Sequence, residues 1–173
     1  MTERIKIENV ILSYPNIFRK GFYEGVENKK YTATLVLDKS NPEHKAIKKV
    51  IDKQIESIYK QTKNKRSDFK DDRFCIKDGS DEFENSWLIK VGNPKRPKII
   101  DRDRTPLLES DDKIYAGCYV NAIIDLYYYD KQYGKFLLSN LYGVQFQADG
   151  DKLGKEIPDV TEEFEDLDSL DDI

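Results

Sequence analysis

Gly117-Cys118-Tyr119-Val120-Asn121-Ala122-Ile123-Ile124-Asp125-Leu126-Tyr127-Tyr128-Tyr129, followed by Asp130-Lys131-Gln132-Tyr133-Gly134-Lys135 and then Phe136-Leu137-Leu138-Ser139-Asn140-Leu141-Tyr142-Gly143-Val144-Gln145-Phe146, is the stretch that decides the fold. Successive strand side chains point to opposite faces. Cys118, Val120, Ala122, Ile124, Leu126 and Tyr128 therefore share one face, and Tyr119, Asn121, Ile123, Asp125, Tyr127 and Tyr129 share the other. The first set is core material; the second is a row of rings with polar gaps. Residues 130–135 predict a polar hairpin loop containing Gly134, and residues 136–146 a second strand. A solvent-facing ring row beside a lysine-bearing loop suits stacking on unpaired bases.

Nearer the amino terminus, residues 4–12 predict a first strand, alternating at its start and continuously apolar at its end. From Ser13 to Lys30 runs a long connection punctuated by Pro15, Gly21 and Gly25. It carries Tyr14, Phe18, Phe22 and Tyr23 interleaved with Arg19 and Lys20, and structureless loops of this length tend to be functional. Residues 31–37 form a second, β-branched strand. Asn41 as N-cap, Pro42 at the first helical position and Glu43 in the first turn open a helix over 42–62. Ile47, Val50, Ile51, Ile55, Ile58 and Tyr59 recur at the spacing of its buried stripe.

Residues 63–73 read as a charged loop, Asp78-Gly79 as a turn, and 86–91 as a third strand, with Trp87 assigned to the core. Residues 95–106 are basic and proline-bounded, with room for a short edge strand. Five strands, one amphipathic helix between the second and third, and the closing hairpin predict a mainly β protein: a five-stranded, OB-fold-like Greek-key barrel. Such barrels bind oligonucleotides across strands two and three, flanked by the loops joining strands one to two and four to five. Here both loops are aromatic and basic. The helix falls between strands two and three rather than three and four.

A chain of 173 residues with 38% apolar content supports one cored domain. It is placed at residues 1–154, with 155–173 as an acidic, disordered tail. No apolar run is long enough for a membrane span and no signal-type segment opens the chain, so the reading is a cytoplasmic protein without membrane association. Cys75, Cys118 and the single His44 cannot supply a Cys/His zinc site, and no metal or cofactor is predicted. The cysteines read as buried, reduced thiols. The formal charge of −4 divides unevenly, because residues 156–173 hold nine acids and no base. The remainder has 24 acids for 29 bases, a surplus of five positive charges. A ligand in a groove feels the local field, since charges beyond a Debye length of about 8 Å are screened.

The candidate stacking rings are Tyr119, Tyr127, Tyr129 and Tyr133 on the hairpin and Phe18, Phe22 and Tyr23 in the first loop. Tyr119 stands apart, at the far end of its strand from the hairpin loop. The opposing reading is that a second layer or a partner subunit covers the ring face, which leaves a homodimer open. Candidate phosphate contacts are Arg19, Lys20, Lys29, Lys30, Lys90, Lys95, Arg96, Lys131 and Lys135, a set whose weight lies in its concentration around one groove. Asp101 and Asp103 alternate with Arg102 and Arg104 as a self-neutralising loop rather than a metal set, and Asp111-Asp112 sits in a turn. His44 has no recognisable partner, and no nucleophile elbow, phosphate loop or zinc signature occurs. An enzyme is not predicted. In the tail, Phe164, Leu167, Leu170 and Ile173 recur every three residues among acids, and with Asp171 and Asp172 form a candidate partner-docking segment.

The sequence also resembles a family of phage and prophage single-stranded-DNA-binding proteins, long classed as a domain of unknown function. The similar stretches are Ser13-Tyr14-Pro15-Asn16-Ile17-Phe18, Asp101-Arg102, Tyr115-Ala116-Gly117-Cys118-Tyr119-Val120, Asn140-Leu141-Tyr142-Gly143-Val144-Gln145, Asp149-Gly150 and Leu153-Gly154. They span about residues 5 to 154. The resemblance implies an oligonucleotide-binding barrel that coats single-stranded DNA during phage replication or recombination. It also implies an acidic tail that meets replication or recombination proteins; here the tail ends Asp171-Asp172-Ile173, without the terminal Phe common in such tails. The alternative is a protein-interaction adaptor that uses the aromatic face and the tail, with no dedicated nucleic-acid role.

Overall fold

The computed structural model describes residues 3–153 and 158–170. In chain order the elements are β1 (Ile5–Asn16), β2 (Phe22–Tyr23), β3 (Val26–Glu27), β4 (Tyr31–Asp38), α1 (Pro42–Thr62), β5 (Ile76–Asp78), β6 (Ser86–Asn93), β7 (Lys98–Ile100), β8 (Tyr119–Lys131), β9 (Gly134–Ala148) and α2 (Leu167–Leu170). Five of the strands close into a barrel. β1 lies antiparallel between β4 and β8, β4 pairs with β6, β8 pairs with β9, and β9 returns parallel to β6 at Gly92 and Asn140. This is the neighbour order of the predicted five-stranded OB-type barrel. β5 extends the sheet beyond β6, and β7 runs parallel to β9.

The barrel interior is the face that the alternation of β8 marks out: Cys118, Val120, Ala122, Ile124 and Leu126 are all buried. They meet Ile7, Val10 and Leu12 of β1, Leu35 and Leu37 of β4, Ile89 of β6 and Leu137 and Leu141 of β9 in one cluster. Both cysteines are buried free thiols within it. Helix α1 begins and ends at the predicted residues. The Asn41 side chain accepts from the Glu43 and His44 amides, Pro42 occupies the first turn, and Lys63 closes the helix in a left-handed conformation. Its stripe packs through Ile51, Ile55 and Ile58, while Val50 lies outside it and is exposed, a correction to the predicted stripe. The i, i+4 set starting at Ile47 already fills the contact, leaving Val50 on the flank.

His44 does have partners. Its buried ring accepts the Asp38 amide at Nδ1 (2.8 Å) and bonds the Asn9 carbonyl through Nε2 (2.8 Å), tying the helix start to β1 and β4. Trp87 is only half-buried, packed on the core edge with the Lys39 and Lys48 ammonium groups 5.8 and 5.3 Å from its ring centre. The Asp101 carboxylate pairs with Lys113 (2.6 Å) and Asp103 with the Thr105 hydroxyl, while Arg102 donates to the Gln147 carbonyl. Neither carboxylate is neutralised by the arginine beside it in sequence.

Two predicted boundaries differ, for one reason each. β1 continues four residues past Leu12, because the turn-like Tyr14-Pro15 is a bulge rather than a loop. Ser13 pairs with Thr34 and Asn16 with Thr32, so two β1 residues face the single Ala33. Tyr14 takes up the bulge at φ 47°, a left-handed conformation uncommon outside glycine. The rest of the connection is not structureless either: β2 and β3 make a small hairpin, with Glu24 and Gly25 both at positive φ. At the other boundary, the predicted six-residue loop at 130–135 is a two-residue turn, Gln132-Tyr133, since Lys131 pairs with Gly134. Hydrophobic alternation stops at Tyr129, but the backbone ladder does not.

Candidate nucleic-acid interface

The tight turn fixes which rings meet. Directly opposed residues are Tyr127 with Leu138, Tyr129 with Phe136 and Lys131 with Gly134. The outer face of the hairpin is therefore a ladder of half-buried rings. Tyr127 and Tyr129 lie 5.9 Å apart and 8° from parallel, and Tyr129 and Phe136 lie 4.6 Å apart and 3° from parallel. Cations cover it: Lys30 is 5.5 Å from the Tyr127 centroid, Lys131 5.7 Å from Tyr129, and Arg73 4.7 Å from Phe136. Lys30 also donates to the Tyr127 hydroxyl (2.8 Å). Arg73 reaches across the turn to the Tyr133 carbonyl, passing where a side chain on Gly134 would stand.

Beside the ladder a groove of about 360 Å³ opens on the outer face of β4 and β6. It is lined by Tyr14, Lys30, Thr32, Thr34, Lys90, Tyr127, Leu138 and Ser139, with the backbone at Gly92 in its floor. Two lysines and no carboxylate line it. The bulge in β1 turns the Tyr14 ring outward, 67% exposed, so that it faces the groove from the side opposite the hairpin. Gly92 keeps the floor low, because a Cβ there would stand 3.1 Å from the Tyr31 carbonyl and 3.6 Å from the Lys30 side chain.

Of the candidate residues, Tyr127, Lys30 and Lys90 line this groove, with Tyr129 and Lys131 continuing from it along the ladder. Lys20 sits 5.5 Å from the ring of Tyr31, next to Lys30. Lys95 and Arg96 are exposed just past the end of β6, whose Asn93 pairs with Tyr31. Lys29 is exposed beside Lys30, and Tyr133 is exposed at the hairpin turn. Other candidates lie elsewhere. Phe18 packs against the core and pins its loop. Phe22 and Tyr23 are exposed on the β2–β3 hairpin. Arg19 is paired with Glu109 (2.7 Å). Lys135 points to the other face of β9, where its ammonium donates to Asn64 just beyond α1 (2.6 Å). Tyr119 belongs to a separate polar pocket with Asp38, His44 and Asp149.

Phe136, Arg73 and the groove position of Tyr14 are beyond what the sequence alone marks out. A two-residue turn at Gln132-Tyr133 would have given Phe136 by counting outward from it; nothing near Arg73 in sequence points to a ring 63 residues away. In the tail, Phe164 and Leu167 are exposed, α2 includes Leu170, and Asp171, Asp172 and Ile173 lie outside the described residues. Among the described residues no helix is long and apolar enough to cross a membrane, and no group of three or more His, Cys, Asp or Glu could hold a metal ion.

A family model described as the ssDNA-binding protein of Enterobacter phage Enc34 matches residues 3–173. "Putative protein p50" of Acyrthosiphon pisum secondary endosymbiont phage 1 is 38% identical over 179 residues, covering 95% of this chain and 94% of that protein. The single-stranded DNA-binding protein from bacteriophage Enc34, solved in complex with ssDNA, has a TM-score of 0.75 at 32% identity, covering 87% of this chain and 89% of that one. The single-stranded DNA binding protein gp2.5 of bacteriophage T7 shares the fold, with a TM-score of 0.61 at 14% identity over 96% of this chain and 97% of that one.

Proposed function

This chain belongs to the family of phage single-stranded-DNA-binding proteins represented by that of bacteriophage Enc34, and on that premise we propose that it coats single-stranded DNA along the groove between Tyr14 and Tyr127. The observation that carries the assignment is the groove's lining: rings on two sides, Lys30 and Lys90 between them, and no carboxylate, on a chain of net charge −4. Bases stack on Tyr14 and on the Tyr127 end of the ladder, each worth about 1 to 3 kcal/mol and tolerant of sequence. Phosphates pass Lys30 and Lys90, with Lys20, Lys95, Arg96 and Lys131 at the margins. The stacked Tyr129 and Phe136 hold Tyr127 rigid, so little ordering cost falls on binding.

The protein acts by binding, without chemistry of its own, in phage-type DNA replication or recombination in the host cytoplasm. Its acidic tail, with Phe164 and Leu167 exposed between acids, suits a basic, apolar partner groove on a replication or recombination protein. Fluorescence anisotropy with oligo-dT and with duplex of the same length tests the assignment; preference for the duplex would refute it.

A further inference from the structure

We propose that neighbouring copies join head to tail along DNA, the β2–β3 hairpin of one inserting into an apolar, cation-rimmed pocket at the far end of β1 in the next. The inference rests on the DNA-coating reading above and adds the contact that propagates the coat.

Among the described residues the hairpin is a knob whose side chains stay outside the core cluster. Phe22, Tyr23 and Val26 are 68, 71 and 69% exposed, and Glu24 and Glu27 stand among them. Positive φ at Glu24 and Gly25 gives the tight turn that strand twist favours. The rings are therefore held out on an ordered hairpin. Its base is fixed at the groove end of β1, where Asn28 donates to the Gly21 carbonyl and Gly21 lies against the Asn16 side chain.

The pocket has the opposite chemistry. It measures about 400 Å³, and its floor includes Ile100, Ile123 and Tyr142, the last two partly exposed. Arg4, Lys6 and Lys98 rim it. Lys6 stands opposite Ile123 on β8 and Lys98 opposite Gly143 on β9, while the Arg4 guanidinium lies 5.2 Å from the Tyr142 ring centre. Lys6 has an exposed partner in Glu8 (3.3 Å), and the nearby Asp125 carboxylate is held by the Tyr142 hydroxyl (2.7 Å). Three cations around an apolar floor match apolar side chains flanked by Glu24 and Glu27.

Position excludes a contact within one chain. Lys6 and Asn16 lie ten positions apart on β1, roughly 30 Å at strand rise, whereas the hairpin reaches only about 13 Å from its base. The two surfaces therefore meet only between copies. A contact of two different patches that does not close propagates as a filament, which suits coating of a linear strand. One knob buries too little surface for a stable complex in free solution, so the contact is felt when DNA holds copies side by side.

The test compares binding per site to the shortest oligo-dT that seats one copy at 1:1 stoichiometry and to one of about 60 nucleotides, which seats several copies. The wild-type chain binds the long strand at least about tenfold tighter. Val26→Ser, the double variant Glu24→Lys/Glu27→Lys and the double variant Arg4→Glu/Lys98→Glu each lose that gain while still binding the short strand. A 1:1 mixture of the two charge-reversed chains recovers it, because each reversed hairpin then meets a reversed pocket. Unchanged long-strand gain in these variants overturns the proposal. So does loss of the gain on deleting residues 158–173 alone, which would make the tail the pocket's occupant. Failure of the wild-type chain to bind either strand would instead refute the DNA reading. The contact is then decided without DNA, by oxidising mixed Val26→Cys and Ile123→Cys chains at millimolar concentration, where even a weak contact is populated: a disulfide heterodimer in excess of either homodimer supports it, and its absence there overturns it.

Discussion

Tyr129 of β8 and Phe136 of β9 stand directly opposite one another with their rings 4.6 Å apart and 3° from parallel. The pair joins Tyr127, which faces the groove, to Arg73, which covers the end of the row. It thus converts the stiffness of a hairpin into the stiffness of a binding surface.

If so, Tyr129→Ala and Phe136→Ala are coupled. A double-mutant cycle on stability should return an interaction of about 0.5 to 1.5 kcal/mol. Both changes weaken DNA binding through Tyr127 without removing a base contact. Tyr127→Ala removes the contact itself and costs about 1 to 3 kcal/mol, a 5- to 150-fold loss measured by anisotropy on oligo-dT.

Tyr14 offers a trade between stability and function. Its backbone sits at φ 47° and its ring is largely exposed, so Tyr14→Gly relieves about 1 kcal/mol of backbone cost while giving up little packing. Tyr14→Gly should raise the melting temperature slightly and weaken DNA binding, whereas Tyr14→Ala weakens binding with no gain in stability.

Gly92→Val should fill the groove floor. The added side chain crowds the Tyr31 carbonyl and the Lys30 side chain, so oligonucleotide affinity falls more than tenfold with a stability loss of about 1 to 3 kcal/mol. Calorimetry and anisotropy on the same variant separate the two effects.

The alkaline limit of the fold carries a signature of Cys75. Burial pushes this thiol up to about 12 from an ordinary 9.0. Between those values the unfolded chain releases the proton and the folded chain keeps it, so stability falls as pH rises above 9, by about 1.4 kcal/mol per pH unit from this group. Below pH 9 it contributes no slope. Denaturant melts across pH should show the fall reduced in Cys75→Ala, and a thiol reagent should find Cys75 unreactive until the protein unfolds.

Much of this was legible in the chain. The two faces of β8 follow from alternation alone, and Asn41, Pro42 and Glu43 mark the helix start because capping chemistry is local. The barrel order followed from strand count and hairpin, and the resemblance pointed to the family. What escaped were contacts set by register. Lys135 and Phe136 are sequence neighbours on opposite faces, and only the two-residue turn says which one joins the ladder. Tyr14-Pro15 carries turn chemistry yet lies within a strand, since a bulge uses the same residues as a turn. Arg73 arrives at Phe136 through tertiary packing, which leaves no periodic trace.

The central claim is that rings and lysines of one groove hold unpaired DNA, and the most direct measurement is the salt dependence of oligo-dT binding in the wild-type chain and in Lys30→Ala/Lys90→Ala. With roughly four phosphates neutralised, the log-log slope should be about −3 and should shrink in magnitude by about 1.4 in the double variant, with duplex bound more weakly throughout. A salt-independent affinity, an unchanged slope in the variant or tighter binding to duplex would contradict it.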